Sequence, residues 1–193
     1  YSPKAERVLR VLLNNPKKAW RTQSLAMEAE VSLGQVANVK SLLENREWVV
    51  STEAGLMLSA PDQLLSEWSG NYKISRNSKS YYTLKDPAEI EADLAKVCKK
   101  QGIVCALTGF SAAARYAPAV RYQRAMAYVG GKTETVAELL ALKEVSSGAN
   151  VTLLAPYDDG VLYGSRAIDG IQVAIPVQVY LDLMNIKGRG EEA

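Results

Sequence analysis

Val31-Ser-Leu-Gly-Gln-Val-Ala-Asn-Val-Lys-Ser-Leu-Leu-Glu-Asn-Arg-Glu-Trp-Val49 reads as one capped helix running into a strand. Ser32 supplies an N-cap oxygen, and Leu33, Val36, Val39, Leu42 and Leu43 recur at helical spacing to form one apolar stripe. Gln35, Asn38, Ser41 and Asn45 fall off that stripe, so the helix has one face for a core and an amide-bearing face left over. Upstream, Thr22 is expected to cap a second helix, Gln23 to Ala29, with Leu25, Ala26 and Ala29 inward and a break of a few residues at Glu30-Val31. Before it, Ser2-Pro3 opens a first helix through Val8, Leu9, Val11, Leu12 and Leu13, closed by Asn14-Asn15-Pro16. Downstream, Trp48 to Ser51 and Leu56 to Leu58 read as two strands joined by a turn ending at Gly55.

Three helices followed by a hairpin make a winged helix-turn-helix. The short turn between the second and third helices is the arrangement that sets the third helix in the major groove, with its N-terminal residues at base edges. Gln35 and Asn38 suit that task because an amide both donates and accepts and can meet adenine bidentately. Lys17, Lys18, Arg21 and Lys40 are expected at phosphates, and Thr22 and Ser32 complete the expected DNA-contacting set at the helix N termini. The quoted stretch resembles the recognition helix and wing entry of bacterial winged-helix regulators. The same framework also serves as a protein-docking module, and that alternative stays open at this stage.

The chain has 193 residues, 48% hydrophobic and 23% charged, with no histidine at all. Without imidazole there is no Ser-His-Asp triad, no Cys-His pair and no HExxH zinc helix, which removes most familiar hydrolases. Cys98 and Cys105 are its two cysteines. Two thiols cannot build a four-ligand zinc site, and they read as inert in a reducing cytoplasm. No run of about 18 apolar residues exists to cross a membrane, and the N-terminal segment is too charged for a secretory signal. No cofactor or metal is expected. The net charge is +2, and residues 1–60 carry all of it, with eight Lys/Arg against six Asp/Glu, so a polyanion is drawn to that end. The chain opens without Met and stops at Glu191-Glu192-Ala193 on a helix-like pattern, as a piece of a longer chain would.

The remainder mixes helices with short strands. We expect a connecting helix and linker over 61–79 and a second domain over 80–193, so the fold class is α+β: a winged helix-turn-helix over 1–60, then an α/β domain on one mixed sheet. Ser80 to Leu84, Ile103 to Leu107, Tyr122 to Val129, Asn150 to Ala155, Val161 to Gly164 and Ile171 to Ala174 read as strands. Helices are expected from Asp86-Pro87 to Gln101, on an inner stripe of Ile90, Leu94 and Val97, from Ser111 to Tyr116, from Thr133 to Lys143, and from Pro176. Asp158-Asp159-Gly160 is first a turn, although two carboxylates also allow the alternative of a degenerate restriction-endonuclease-like domain with metal-dependent nucleic-acid activity. Against that enzyme stands Gln172-Val-Ala174, where the acid and lysine of such a nuclease are missing. Gly130-Gly-Lys-Thr133 lacks the earlier glycine of a phosphate loop. Arg115, Arg121 and Arg124, around Tyr116 and Tyr122, form an expected nucleic-acid or partner patch.

Leu107-Thr-Gly-Phe-Ser-Ala-Ala-Ala-Arg-Tyr-Ala-Pro118, Val120-Arg-Tyr-Gln-Arg124 with Ala127-Tyr-Val129, and Pro176-Val-Gln-Val-Tyr-Leu-Asp-Leu183 followed by Gly188-Arg-Gly-Glu-Glu-Ala193 resemble the AbiEi family, antitoxins of type IV toxin–antitoxin systems of abortive infection. The resemblance implies a two-domain protein, which we expect to be cytoplasmic and not an enzyme. Its winged helix would repress its own operon at inverted repeats of double-stranded DNA. Its second domain would counteract a nucleotidyltransferase-like toxin, without a stable complex.

Overall fold

The computed structural model of the protein describes residues 1–74, 77–119 and 121–186. The Gly188–Ala193 motif and its expected helical continuation lie outside the described residues, as does Val120. The chain forms two compact units, Tyr1–Tyr72 and Lys73–Ala193.

The first unit runs α1 Pro3–Asn14, α2 Thr22–Glu28, α3 Leu33–Glu44, strands β1 Val49–Thr52 and β2 Gly55–Leu58, and α4 Pro61–Asn71. Ser2 caps α1, its side chain accepting from the Ala5 N–H at 3.2 Å. Nine consecutive α1 residues, Ala5 to Leu13, are buried, including Arg10 at 0% exposure. Such a charge is tolerable only if it is met, and Glu6 lies 3.6 Å from it while its guanidinium sits 5.0 Å over the Trp68 ring. Trp68 comes from α4, so that helix does more than connect: it belongs to this unit's core, with Tyr1 and Tyr72 edge-on to the same indole.

Helices α2 and α3 end without glycine. The Glu30 and Val31 N–H groups donate back to Met27 and Ala26, and those of Glu47 and Trp48 to Glu44 and Leu43, which sets Glu30 and Glu47 at φ 52° and 59°. This is the paired C-terminal bonding of a Schellman motif with a glutamate in the left-handed position.

The second unit carries a seven-stranded mixed sheet in the order β6-β3-β7-β5-β4-β9-β8. Its strands are β3 Ser78–Tyr82, β4 Cys105–Leu107, β5 Ala125–Val129, β6 Lys143–Glu144, β7 Val151–Leu154, β8 Arg166–Ile168 and β9 Ile171–Val173. Pairs β4–β9 and β5–β7 are parallel, the others antiparallel. Strand β5 lies mid-sheet with all five residues buried, and it opens at Ala125 rather than at the expected Tyr122. Ala125, Ala127 and Val129 join a large core with α5 Pro87–Gln101, α6 Gly109–Tyr116, α7 Thr133–Leu139 and α8 Pro176–Met184. Met126 and Tyr128 point the other way, to Leu154 and Val161.

Several expectations change. Asp159–Leu162 forms a 3-10 turn where a strand over Val161–Gly164 was expected, because the Asp158 carboxylate accepts from the Gly160 N–H at 2.8 Å and winds the chain. The hairpin partner of β9 is β8 instead. Strand β3 ends at Tyr82, leaving Leu84 92% exposed. Helix α7 stops at Leu139, and Lys143–Glu144 pair with β3 rather than extending it. On α5 the inner stripe is Ile90, Glu91, Leu94 and Cys98, with Val97 only half-buried. The expected cap Asp86 is present as a full capping box with Glu89.

Candidate nucleic-acid interface

Helix α3 packs on α1 and α2 through Val36, Val39 and Leu43, 1%, 5% and 0% exposed. Its opposite side faces out. Asn38 and Ser41 are exposed and Gln35 is half-buried at the edge. Residues 29–32 separate α2 from α3. Ser32 accepts from the Gln35 N–H at 3.2 Å, so its oxygen is committed to the cap while its O–H stays able to donate. Replacing Ser32 by alanine is expected to cost the first unit about 1 kcal/mol, read as a lower denaturation midpoint by tryptophan fluorescence; an unchanged midpoint would refute the cap. All three tryptophans, Trp20, Trp48 and Trp68, belong to this unit, so the signal is specific to it.

Thr22 is not the cap of α2. Arg21 holds that place without a side-chain capping bond, and Thr22 is the first helical residue, exposed. Its hydroxyl therefore sits in the first turn, among backbone N–H groups that α2 cannot satisfy itself. Lys17, Lys18 and Arg21 are exposed beside it. The Lys18 ammonium rests 3.6 Å over the Trp20 ring, which fixes its stem. Lys40 is placed differently: it pairs with Glu44 at 3.6 Å, and Glu44 also accepts from the Ser51 hydroxyl at 3.2 Å. Leu33, expected on the buried stripe, is 56% exposed, and Met27 is 74% exposed. The apolar periodicity puts Leu33 inward, yet in the first turn of α3 its side chain is mostly exposed. These two apolar residues were missed as surface features because their type alone signals a core.

In the second unit the three arginines part company. Arg115 donates to Glu91 at 2.7 Å, and Glu91, 0% exposed, also accepts from the Tyr122 hydroxyl at 2.8 Å. Burial and that carboxylate push the Tyr122 phenol well above its ordinary pKa. Arg115 thus neutralises a buried charge and has left the expected patch. Arg124 donates to the Ala149 carbonyl at 3.0 Å, and Arg121 is exposed. Both edge a cleft of about 320 Å³ that includes Phe110 and Tyr122.

A second polar cluster lies wholly inside. The Thr108 and Tyr128 hydroxyls and the Gln178 amide all donate to the Asp182 carboxylate, and all four residues are 0% exposed. No local pattern announces it, since only the turn from β4 into α6 and the packing of α8 bring these residues together. Among the described residues, no three side chains of His, Cys, Asp or Glu gather as a metal site would require. No described helix is long and apolar enough to cross a membrane.

A family model described as transcriptional regulator, AbiEi antitoxin of type IV toxin–antitoxin systems, matches residues 57–193. The chain belongs to this family. Searches of curated proteins and of solved structures return no match. The AbiEi match begins at Met57, within β2, and so takes in α4 and the whole second unit. The Thr108-Gly-Phe-Ser111 run of this AbiEi antitoxin turns β4 into α6, and Pro176 to Leu183 forms α8. Both motifs contribute to the buried cluster around Asp182, Thr108 from the first and Gln178 and Asp182 from the second.

Proposed function

We propose that this chain is a cytoplasmic, DNA-binding autoregulator and antitoxin, whose first unit is a winged helix that lays α3 in the major groove of its own operator. The observation that carries the reading is the two-sided α3. One face is locked into the core by Val36, Val39 and Leu43, and the other offers Gln35 and Asn38 after a short turn from α2. Gln35 and Asn38 read base edges, Leu33 meets a thymine methyl, and Lys17, Lys18, Arg21, Thr22 and Ser32 hold the phosphates. Lys40, paired with Glu44, contributes less. An inverted repeat would take two copies. The second unit, in this reading, counteracts a nucleotidyltransferase-like toxin and is itself no enzyme.

Fluorescence anisotropy against the DNA upstream of its gene, beside a scrambled duplex over a salt series, tests the first half. We expect a preference for the upstream DNA, lost on Q35A/N38A with roughly ten- to a hundredfold weaker binding per lost bidentate contact. The triple variant K17A/K18A/R21A is expected to weaken both duplexes alike and to flatten the salt slope by about three. Equal binding of both duplexes by the parent overturns the operator reading. Salt-insensitive binding of a protein partner instead would assign the exposed Met27 and Leu33 to docking.

A further inference from the structure

A cleft beside β5 brings arginines and aromatic rings together. Arg121, Gln123 and Arg124 supply two guanidinium groups and an amide, Phe110 and Tyr122 supply aromatic rings, and Met126 adds apolar surface. Among the described residues no acidic side chain lines it, and at about 320 Å³ it falls at the small end of ligand sites, the size of one nucleotide rather than of a helix or strand. The Tyr122 ring is held in place. Glu91 is fully buried, takes the Tyr122 hydroxyl at 2.8 Å and the Arg115 guanidinium at 2.7 Å, and so anchors one wall from behind. Arg124 is fixed by the Ala149 carbonyl through one nitrogen at 3.0 Å, with the rest of its fork available. Arg121 makes no hydrogen bond or ion pair to any described residue. Two guanidinium forks match phosphate oxygens, and an aromatic face accepts any base.

We propose that this cleft binds a 5′-phosphorylated nucleotide, with Arg121 and Arg124 on the phosphate, Tyr122 and Phe110 against the base and Gln123 at its edge. The site lies within the second unit, and the proposal does not depend on the operator reading of α3. The shared chemistry allows two sources, a free mononucleotide or one unit of a single strand, and the test separates them.

The test is calorimetric titration of the full chain with adenosine and uridine 5′-monophosphates, with a single-stranded octanucleotide of RNA and of DNA, with inorganic phosphate and with polyglutamate. We expect binding that weakens with salt and falls roughly tenfold in R121A and in R124A, and further in the double variant. Tyr122→Leu is expected to lose about tenfold while Tyr122→Phe, which keeps the ring but gives up its bond to Glu91, loses less. Binding of the mononucleotides as tightly as the octanucleotides assigns a free nucleotide; binding of octanucleotides alone assigns a strand. Phosphate or polyglutamate held as tightly as the nucleotide, or an unchanged R121A/R124A, overturns the proposal. Unaltered melting of the exposed-arginine variants keeps a null result meaningful. Duplex binding measured on the same variants lets this proposal and the operator reading fail independently.

Discussion

Gly55→Ala is expected to destabilise the first unit by at least about 3 kcal/mol, the largest effect of any single methyl in it. Gly55 opens β2 at φ 133°, a conformation that L side chains rarely adopt. A Cβ there would stand 2.4 Å from the Trp20 carbonyl oxygen and 2.5 Å from its carbon, both backbone atoms that cannot swing away. The next residue explains the crowding. The Trp20 N–H donates to the Leu56 carbonyl at 2.7 Å and the Leu56 N–H returns to Trp20 at 2.9 Å, so the loop before α2 is stitched to the hairpin as a third strand position. An added methyl must either break this bridge or displace Trp20, which is 3% exposed. Tryptophan fluorescence under urea measures the loss in the first unit. Thiol reactivity of Cys98 and Cys105, both in the second unit, reports on the other half and is expected to be unchanged. A shift below about 1 kcal/mol would mean that the hairpin tolerates a side chain at this point.

Asp182→Ala is expected to cost the second unit about 3–5 kcal/mol, because it strands three buried donors at once. The Tyr128 hydroxyl lies 2.8 Å and the Gln178 amide 3.0 Å from one carboxylate oxygen, and the Thr108 hydroxyl bonds to the other. Asp182→Asn keeps the shape but turns one acceptor into a donor facing donors, and roughly 1–3 kcal/mol is expected for it. Faster modification of Cys98, 1% exposed in the native unit, is the readout, with denaturant giving the free energy. If alanine costs no more than asparagine, the carboxylate is not what holds α8 to the sheet.

How much of this was legible in the chain depends on how local each signal is. Ser32 and Asp86 could be recognised as caps because a cap involves residues three apart, and both hydrogen bonds are present. The order of three helices and a hairpin follows from periodicity in the same local way. Helix ends were harder. Glu30, Glu47 and Ala141 take the left-handed position that glycine usually marks, so neither the break between α2 and α3 nor the early stop of α7 carried its usual signal. Strands were hardest. Buried on both faces, β5 shows no alternation, while the apolar Val161 belongs to a turn wound by Asp158 and Gly160.

The candidate sites divide along the same line. Gln35 and Asn38 were found because a helix face can be drawn from spacing alone. The fate of Arg115 could not be, since Glu91, its partner, lies 24 residues away on another helix, nor could the exposure of Leu33, which depends on how the first unit packs.

By itself the sequence determined what depends on residue type and near neighbours: the helical order of the first unit, its basic balance, the absence of imidazole chemistry and the family motifs. Tertiary structure alone decided which polar groups are spent inside and which remain to bind. Thr108 and Asp182 are 74 positions apart, and only the packing of α8 on the sheet brings them within hydrogen-bonding distance. Burial is a property of the assembled fold, and a buried charge must find its partner wherever the fold brings one.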